Sequence, residues 1–146
     1  MAKQFQHVRG MPDVLPAEQY KFEYLTTIFQ QLADAAGYQH IETPILEDKG
    51  VFVRGVGTGT DVVDKELYEF TDRSGNEVAL RPEPTAGLVR AYIEQGMASW
   101  PQPAKLQIAG TMFRYDRPQA GRQRQFHQLG VEAIGDKSPS LDAQII

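Results

Sequence analysis

A loop rich in cations between two apolar runs is the feature that most constrains the fold of this chain. The runs, 105–115 and 125–134, could each form a strand, so the pattern predicts two neighbouring strands joined by a charged loop. The loop region holds four arginines against a single acid: Arg114, Arg117, Arg122, Arg124 and Asp116. Guanidinium groups are planar, permanently charged donors that suit phosphate oxygens. The pattern therefore indicates an anion-binding site beside a pair of strands.

Arg114 is the arginine for which this interpretation is strongest. It continues an apolar strand pattern that includes Ile108, Met112 and Phe113. A charge in such a strand is costly unless it is paired or bound to an anion. We favour anion binding over a structural ion pair for Arg114. For the other three arginines of the loop, the two interpretations are equally open.

Two other segments have the composition of functional loops. In Arg81-Pro-Glu-Pro-Thr-Ala86, prolines flank Glu83 between a predicted strand and a predicted helix. The Glu83 carboxylate could cap that helix, which is worth about 0.3–1 kcal/mol, or it could be aimed at a cationic substrate group. The segment Gly55-Val-Gly-Thr-Gly-Thr60 lacks the Gly-Lys-Ser/Thr ending of a P-loop and does not match GxGxxG. We therefore expect it to be a flexible connection.

The composition is that of an ordinary globular chain. Its 146 residues suit one domain, with 41% hydrophobic and 23% charged residues. The absence of cysteine excludes disulfides and thiol nucleophiles, and three scattered histidines lack metal-ligand spacing, so no protein-bound metal site is expected. A net charge of −4 does not suit nucleic-acid binding through overall charge. Without a membrane-spanning run or a signal-peptide core, a soluble cytoplasmic protein is expected.

The remaining patterns predict an α+β fold, in which helices flank an antiparallel sheet. Apolar residues recur every three or four positions between Pro16 and Gly37, which predicts a long amphipathic helix. The segment 38–46 predicts a strand interrupted by Pro44, whose missing donor favours a sheet edge or an interface. The other predicted elements are a hairpin of strands 67–71 and 77–81, a helix over 84–96, and a last helix with Ser138 as its N-cap.

Six segments, in chain order, resemble motifs of the class II aminoacyl-tRNA synthetases, and most closely those of the bacterial histidyl-tRNA synthetase family. They are Val8-Arg-Gly-Met-Pro-Asp13, Ile41-Glu-Thr-Pro-Ile-Leu-Glu47, Thr60-Asp-Val-Val-Asp-Lys-Glu66, Leu80-Arg-Pro-Glu-Pro-Thr-Ala86, Met112-Phe-Arg-Tyr-Asp-Arg-Pro-Gln119 and Gly121-Arg-Gln-Arg-Gln-Phe-His-Gln-Leu-Gly-Val-Glu132. The second is similar to motif 1 of the class, and the last two form motif 2. A lone motif 2 would indicate only the class, whereas the whole set is specific to the family.

The resemblance implies an ATP-dependent ligase. The carboxylate of histidine would attack the α-phosphorus of ATP, pyrophosphate would leave, and the 3′-terminal ribose of tRNA-His would then take the histidyl group. Such chemistry depends mainly on positioning and on cations around the phosphates. The implied substrates are histidine, tRNA-His and ATP with its Mg²⁺. The implied assembly is a homodimer built through motif 1, where Pro44 lies.

The resemblance also implies a role for each candidate site residue. Arg114 would be the catalytic residue, contacting the α-phosphate and the histidine carboxylate. Phe126 would stack on adenine, and Asp116 stands where the family usually has a glutamate that reaches toward adenine or the motif 2 loop. The histidine pocket would comprise Glu83, Pro84, Thr85, Arg114, Gln128 and Glu132, with the last accepting a hydrogen bond from the imidazole.

The pocket side of this assignment can also be argued from strand geometry. Even spacing places Phe126, Gln128 and Glu132 on one face of a strand. A buried carboxylate there is costly unless it meets a donor. An imidazole N–H is a suitable donor, and an ion pair between Glu132 and a loop arginine is the alternative.

The family's chains are about three times longer. Motif 3, the histidine-specific insertion and the anticodon-binding domain have no counterpart here, so we expect residues 1–146 to be the N-terminal part of a catalytic domain with weak or no activity alone. One alternative is a catalytically silent paralogue, the regulatory subunit of ATP phosphoribosyltransferase, which binds histidine as a signal but tends to lose the motifs intact here. Another is a nonspecific nucleic-acid-binding fragment, whose affinity would depend on salt but not on histidine or ATP.

Overall fold

A computed structural model describes residues 4–57 and 59–145, which form an α+β fold built on two three-stranded sheets. In chain order the elements are α1 (Pro16–Ala35), β1 (Gln39–His40), β2 (Leu46–Asp48), α2 (Lys49–Val56), α3 (Asp61–Lys65), β3 (Glu69–Thr71), β4 (Glu77–Leu80), α4 (Thr85–Glu94), a 3₁₀ turn (Met97–Ser99), β5 (Ala104–Phe113), β6 (Gln125–Ile134) and α5 (Pro139–Ile145). Met1 to Lys3 of the N-terminal segment, Thr58 of the glycine-rich segment and Ile146 of the predicted last helix lie outside the described residues.

The sheet that carries the site has the order β1-β5-β6. Strands β5 and β6 are antiparallel over their full lengths, from the pair Ala104 and Ile134 to the pair Phe113 and Gln125. Strand β1 runs parallel to β5, so this sheet is mixed rather than purely antiparallel as expected. The second sheet, β2-β4-β3, is antiparallel throughout and contains the predicted hairpin. The predicted fold class is confirmed, with this one change.

Helices cover the two faces of β5. Successive residues of a strand point to opposite sides, so neighbouring residues of β5 contact different helices. On one face, Leu106 and Ile108 pack with Leu88 of α4 into a buried apolar cluster. On the other face, the fully buried Gln107 amide donates to the Asp34 carboxylate of α1 at 2.6 Å and to the Tyr38 carbonyl at 3.0 Å. The strand pair is therefore held from both sides.

The predicted strand over 38–46 is wrong. The segment divides into β1 and β2, which belong to different sheets, with an exposed Pro44 between them. Pro44 has no N–H to donate to a ladder, and the carbonyl of the preceding Thr43 accepts a hydrogen bond from Arg81 Nη1 at 2.7 Å instead. The chain changes sheets at this point.

The flexible connection predicted around the glycines is also wrong for its first part. Helix α2 continues through Gly55 to Val56, and the carboxylate of its N-cap, Asp48, accepts from Gly50 N at 2.7 Å. A Cβ at position 55 would lie 2.6 Å from the Ala86 Cβ of α4. Gly55 thus lets two helices approach closely, and the fully buried Phe52 fills the adjoining core.

Candidate active site

Most of the predicted site residues lie on one face of β6 or at the start of α4. Phe126, Gln128 and Glu132 share the face of the strand pair that packs toward α4, opposite Met112, Gly110 and Leu106 respectively. The segment 82–85 lies over the same face, because a Cβ at Gly130 would contact the buried Pro84 ring at 3.8 Å. The expected alignment of the three β6 side chains is confirmed.

Glu132 meets a neutral donor rather than a cation. Its Oε1 accepts a hydrogen bond from the Thr85 hydroxyl at 2.7 Å. No arginine or lysine nitrogen of residues 4–57 and 59–145 lies within 4.0 Å of its carboxylate. The alternative of an ion pair with a loop arginine is therefore not what the structure has. The carboxylate, half-buried, retains an oxygen that can accept from a further donor.

Glu83 caps helix α4. Its Oε2 accepts from Thr85 N at 2.7 Å and its Oε1 accepts from Ala86 N at 2.8 Å, so it satisfies two of the free N–H groups of the first turn. This is the structural interpretation raised by the sequence. It does not exclude the functional one, because an ionised carboxylate offers about four acceptor positions and only two are used.

Gln128 presents a polar atom with no partner in the described part of the chain. Its Oε1 is fully buried and accepts no hydrogen bond. A buried unpaired acceptor costs about 1–3 kcal/mol, so such atoms in native structures call for an explanation. A ligand donor on this face would supply one. Opposite Gln128 stands Gly110, which adds no side chain to the floor of the site.

Arg114 follows the last residue of β5 rather than lying inside the strand as predicted. Its Nε donates to the Pro82 carbonyl at 2.9 Å, and its guanidinium carbon lies 5.4 Å from the centre of the Phe126 ring. Among the residues that the structure covers, no carboxylate lies within 4.0 Å of it. The guanidinium is thus fixed by one N–H beside an aromatic face, with its other donors available to an anion.

Two of the remaining loop arginines are held by the loop itself. Arg122 forms an ion pair with Asp116 and lies 3.9 Å from the Glu66 carboxylate. Arg124 Nε donates to the Asp116 carbonyl at 2.9 Å, and its guanidinium lies over the Tyr115 ring at 3.9 Å. The geometry of these two residues is therefore that of structural contacts rather than of anion binding. Arg117, by contrast, has an exposed side chain.

Asp116 belongs to this internal network of the loop. Its Oδ1 accepts from Arg117 N at 2.6 Å and its other oxygen faces Arg122. The carboxylate is therefore directed into the loop. The resemblance implied that the side chain at this position reaches toward adenine or toward the motif 2 loop. In the structure, the Asp116 carboxylate points toward the loop.

Two residues with structural consequences for the site were given no role by the sequence reasoning. Arg81 is buried, and its guanidinium bonds backbone carbonyls of two segments. Gly10, with φ +80°, accepts from Arg124 N at 2.7 Å and from Gln125 N at 3.1 Å, and a Cβ there would lie 2.8 Å from the Pro118 ring. Both lie in segments that match family motifs, and the signal for Arg81 was a charge directly after an apolar strand.

Within 4–57 and 59–145, no three His, Asp or Glu side chains are arranged to hold a metal ion. The His127 ring packs against Phe22 of α1, with centroids 4.9 Å apart, on the face of β6 away from the site. None of the described helices combines the length and apolarity needed to cross a bilayer.

The antiparallel pair β5–β6 carries the two motif 2 segments, as the resemblance to class II aminoacyl-tRNA synthetases implies. A family model described as Histidyl-tRNA synthetase matches residues 10–146. The histidine–tRNA ligase of Pelotomaculum thermopropionicum is 53% identical over 138 residues, which are 94% of this chain and 32% of that protein. The chain belongs to the histidyl-tRNA synthetase family.

Further relatives agree in sequence and in structure. The histidine–tRNA ligase of Corynebacterium kroppenstedtii is 51% identical over 144 residues, covering 99% of this chain and 34% of its own length. The crystal structure of apo S. aureus histidyl-tRNA synthetase superposes with a TM-score of 0.82 at 38% identity, covering 97% of this chain and 32% of that one. A Bacillus halodurans structure is described as an ATP phosphoribosyltransferase regulatory subunit/histidyl-tRNA synthetase. It superposes with a TM-score of 0.81 at 29% identity, covering 99% of this chain and 37% of that one. The chain spans about a third of the length of these relatives.

Proposed function

We propose that this chain supplies the histidine- and ATP-binding part of a histidine–tRNA ligase. The observation that supports this most directly is the order of groups along the site. Phe126 and Arg114 lie together at one end, Gln128 is next, and Glu132 with Thr85 lies at the other end. That order suits adenine, α-phosphate and amino acid in a histidyl-adenylate. Residues 1–146 would then be the N-terminal part of the catalytic domain.

In this proposal Arg114 stabilises the reaction's transition state. As the histidine carboxylate attacks the α-phosphorus of ATP, a new O–P bond forms and the bond to the leaving pyrophosphate breaks. Negative charge builds on the non-bridging oxygens, and the free Arg114 donors would meet it without reorganisation, because Nε is already bonded to Pro82. ATP would enter with its Mg²⁺ as substrate, and the histidyl group would pass to tRNA-His.

The amino-acid end of the site has acceptors for each donor of histidine. The free lone pairs of Glu83, the Thr85 hydroxyl and the unpartnered Gln128 Oε1 can surround an α-ammonium group. The free oxygen of Glu132 can accept from an imidazole N–H. A site built on such bonds discriminates against amino acids that lack the donor, because its buried acceptors would stay unpaired.

Arg114→Ala tests the proposal in a full-length ligase that carries this chain. Loss of one preorganised donor group costs roughly 3–4 kcal/mol, so histidine-dependent exchange between ATP and pyrophosphate should fall by roughly 100- to 1,000-fold. Arg73→Ala is the matched control, since Arg73 is exposed in the turn between β3 and β4. An exchange rate close to that of the unsubstituted enzyme would remove Arg114 from the chemistry.

A second candidate function is favoured by the B. halodurans neighbour, whose description includes a phosphoribosyltransferase regulatory subunit. A chain with that role would bind histidine without using ATP. Arg114 and the Arg-Pro-Glu-x-Thr segment are intact here and occupy one site, which supports the ligase instead. Histidine binding without pyrophosphate exchange in the full-length protein would instead favour the regulatory-subunit function over the ligase.

We also propose that the chain self-associates, as the motif 1 resemblance implies. Helix α1 leaves an apolar row exposed, with Tyr24, Leu25 and Leu32 each more than half accessible. Ile45 and Leu46 are 46% and 42% exposed, whereas the neighbouring Ile41 packs against the core. Clusters of exposed apolar residues mark candidate protein interfaces. The partner proposed here is a second copy of the chain.

A further inference from the structure

Arg81 is a buried cation without a carboxylate beside it. Arg81 is 4% exposed, and no acidic oxygen of the described residues lies within 4.0 Å of its guanidinium. Burial lowers the pKa of Arg81 below its ordinary value, and the negative charges of Glu42 and Glu47 partly offset this effect. Arginines are almost never buried unless their donors are satisfied, so the hydrogen bonds of this one are informative.

The hydrogen bonds of Arg81 join the two sheets. Its Nε donates to the Thr111 carbonyl of β5 at 2.9 Å, and its Nη1 donates to the Thr43 carbonyl at 2.7 Å. Its backbone N–H donates to the Ile45 carbonyl, and its own carbonyl accepts from Phe113 N, both at 2.9 Å. One residue therefore ties the end of β4 to β5 and to the segment between β1 and β2.

Gly110 provides the space in which the guanidinium lies. A Cβ at that position would overlap with Arg81 Nη2. The fit fixes the guanidinium directly above the floor of the site, because Gly110 is the cross-strand partner of Gln128. No substrate contact by Arg81 is needed to explain its position, since its bonds are to backbone.

The segment that Arg81 anchors carries the substrate-facing groups. The next residue, Pro82, accepts from Arg114 Nε at 2.9 Å. Glu83 caps α4 through Thr85 N and Ala86 N, and the Thr85 hydroxyl reaches Glu132 at 2.7 Å. A shift of Arg81 would therefore move both the proposed phosphate group and the proposed histidine pocket relative to β6.

On the basis of the function proposed above, we propose that Arg81 is a positioning residue that sets the place of segment 82–85 over the β5–β6 floor. It acts through the Thr43 and Thr111 carbonyls and through its fit against Gly110. Gly110 is its partner in this role, because any larger residue would displace the guanidinium.

The test uses three variants of a full-length ligase that carries this chain. Gly110→Ala displaces the guanidinium while leaving all its donors in place. Arg81→Met removes the donors but keeps a side chain of similar reach. Arg81→Lys keeps the charge but cannot reproduce the planar fork with which the guanidinium reaches both carbonyls. Arg73→Met, in the exposed turn between β3 and β4, is the matched control.

Histidine-dependent exchange is measured with the active fraction normalised by active-site titration. We expect the histidine kcat/KM to fall at least about tenfold in Gly110→Ala and Arg81→Met, with the histidine KM raised, because a misplacement of roughly 1 Å can cost about 100-fold in rate. Arg81→Lys should recover part of this loss, and Arg73→Met should match the unsubstituted enzyme. A lower active fraction with an unchanged histidine KM would overturn the positioning role and leave Arg81 a purely structural residue.

Failure of the proposed function gives a different result. If the unsubstituted enzyme shows no histidine-dependent exchange, the ligase assignment is wrong, and Arg81 is then judged from crystal structures of the unsubstituted and Gly110→Ala proteins. Loss of the hydrogen bond from Arg114 Nε to the Pro82 carbonyl in the variant supports positioning by Arg81. Retention of that bond overturns it.

Discussion

Replacement of Glu132 by alanine should separate the two halves of the proposed site. The substitution removes the carboxylate that accepts from Thr85 and that we expect to accept from the substrate imidazole. A hydrogen bond to a charged group is worth about 1.5–3 kcal/mol. At 1.4 kcal/mol for each factor of ten, histidine binding should weaken roughly 10- to 150-fold.

The expected effect on ATP follows from distance along the strand. Phe126 and Glu132 are six residues apart on β6, and a strand rises about 3.4 Å per residue, so about 20 Å separates them. The proposed α-phosphate lies between these two ends, and even at about 10 Å two unit charges in water interact by only about 0.4 kcal/mol. The dissociation constant for ATP should therefore change less than about twofold.

Calorimetry on a full-length ligase that carries this chain, with histidine and ATP titrated separately, measures both effects. Glu132→Gln is the matched variant, because the amide keeps an acceptor for Thr85 and for the imidazole but loses the charge. It should fall between the unsubstituted protein and Glu132→Ala. Equal losses for histidine and ATP, or no loss for histidine, would place Glu132 outside the imidazole pocket.

Three further expectations concern stability and association. Phe52→Ala should destabilise the chain by about 3–5 kcal/mol in denaturant unfolding, because Phe52 is fully buried, and a loss as small as that of Val53→Ala would count against this core. Gln107→Leu should cost about 1–3 kcal/mol in the same assay, since it leaves the carbonyl of the buried Tyr38 unpaired, and a neutral result would refute that. Ile45→Asp should weaken self-association in sedimentation at micromolar concentration, and an unsubstituted chain that is already monomeric would refute the interface.

The strand pair could be predicted from sequence because its signal is local. The apolar run, the strand period of two and the polar loop between the strands lie within one continuous stretch, so the shared face of Phe126, Gln128 and Glu132 followed directly. The same reasoning failed at Gly55, where glycine suggested flexibility. Glycine is required at that position because the Ala86 Cβ lies against it. Ala86 is 31 residues further along the chain, so a local sequence pattern does not reveal the contact.

The arginines of the charged loop also show that local sequence patterns do not reveal contacts between distant segments. Four arginines were predicted to bind anions or to pair, and the residues alone could not assign each one. Arg122 pairs with Asp116 because the loop folds back on itself and toward Glu66. Arg114 lies where Pro82 comes close, and Pro82 belongs to a different strand connection. Side-chain partners of this kind depend on how distant segments meet.

The N-terminus of α4 can serve fold and substrate together. Glu83 uses one lone pair on each oxygen to bind Thr85 N and Ala86 N, which leaves acceptor capacity on both atoms. The two helix bonds hold the carboxylate in a single orientation before any ligand arrives, so little side-chain entropy would remain to be lost on binding an α-ammonium group. Thr85 combines both parts in the same way, donating its N–H to the cap and its hydroxyl to Glu132. In the proposed site, a helix start whose capping carboxylate still has free acceptors would therefore be a preorganised binding element, and the proposed role of Arg81 is to set where that element lies.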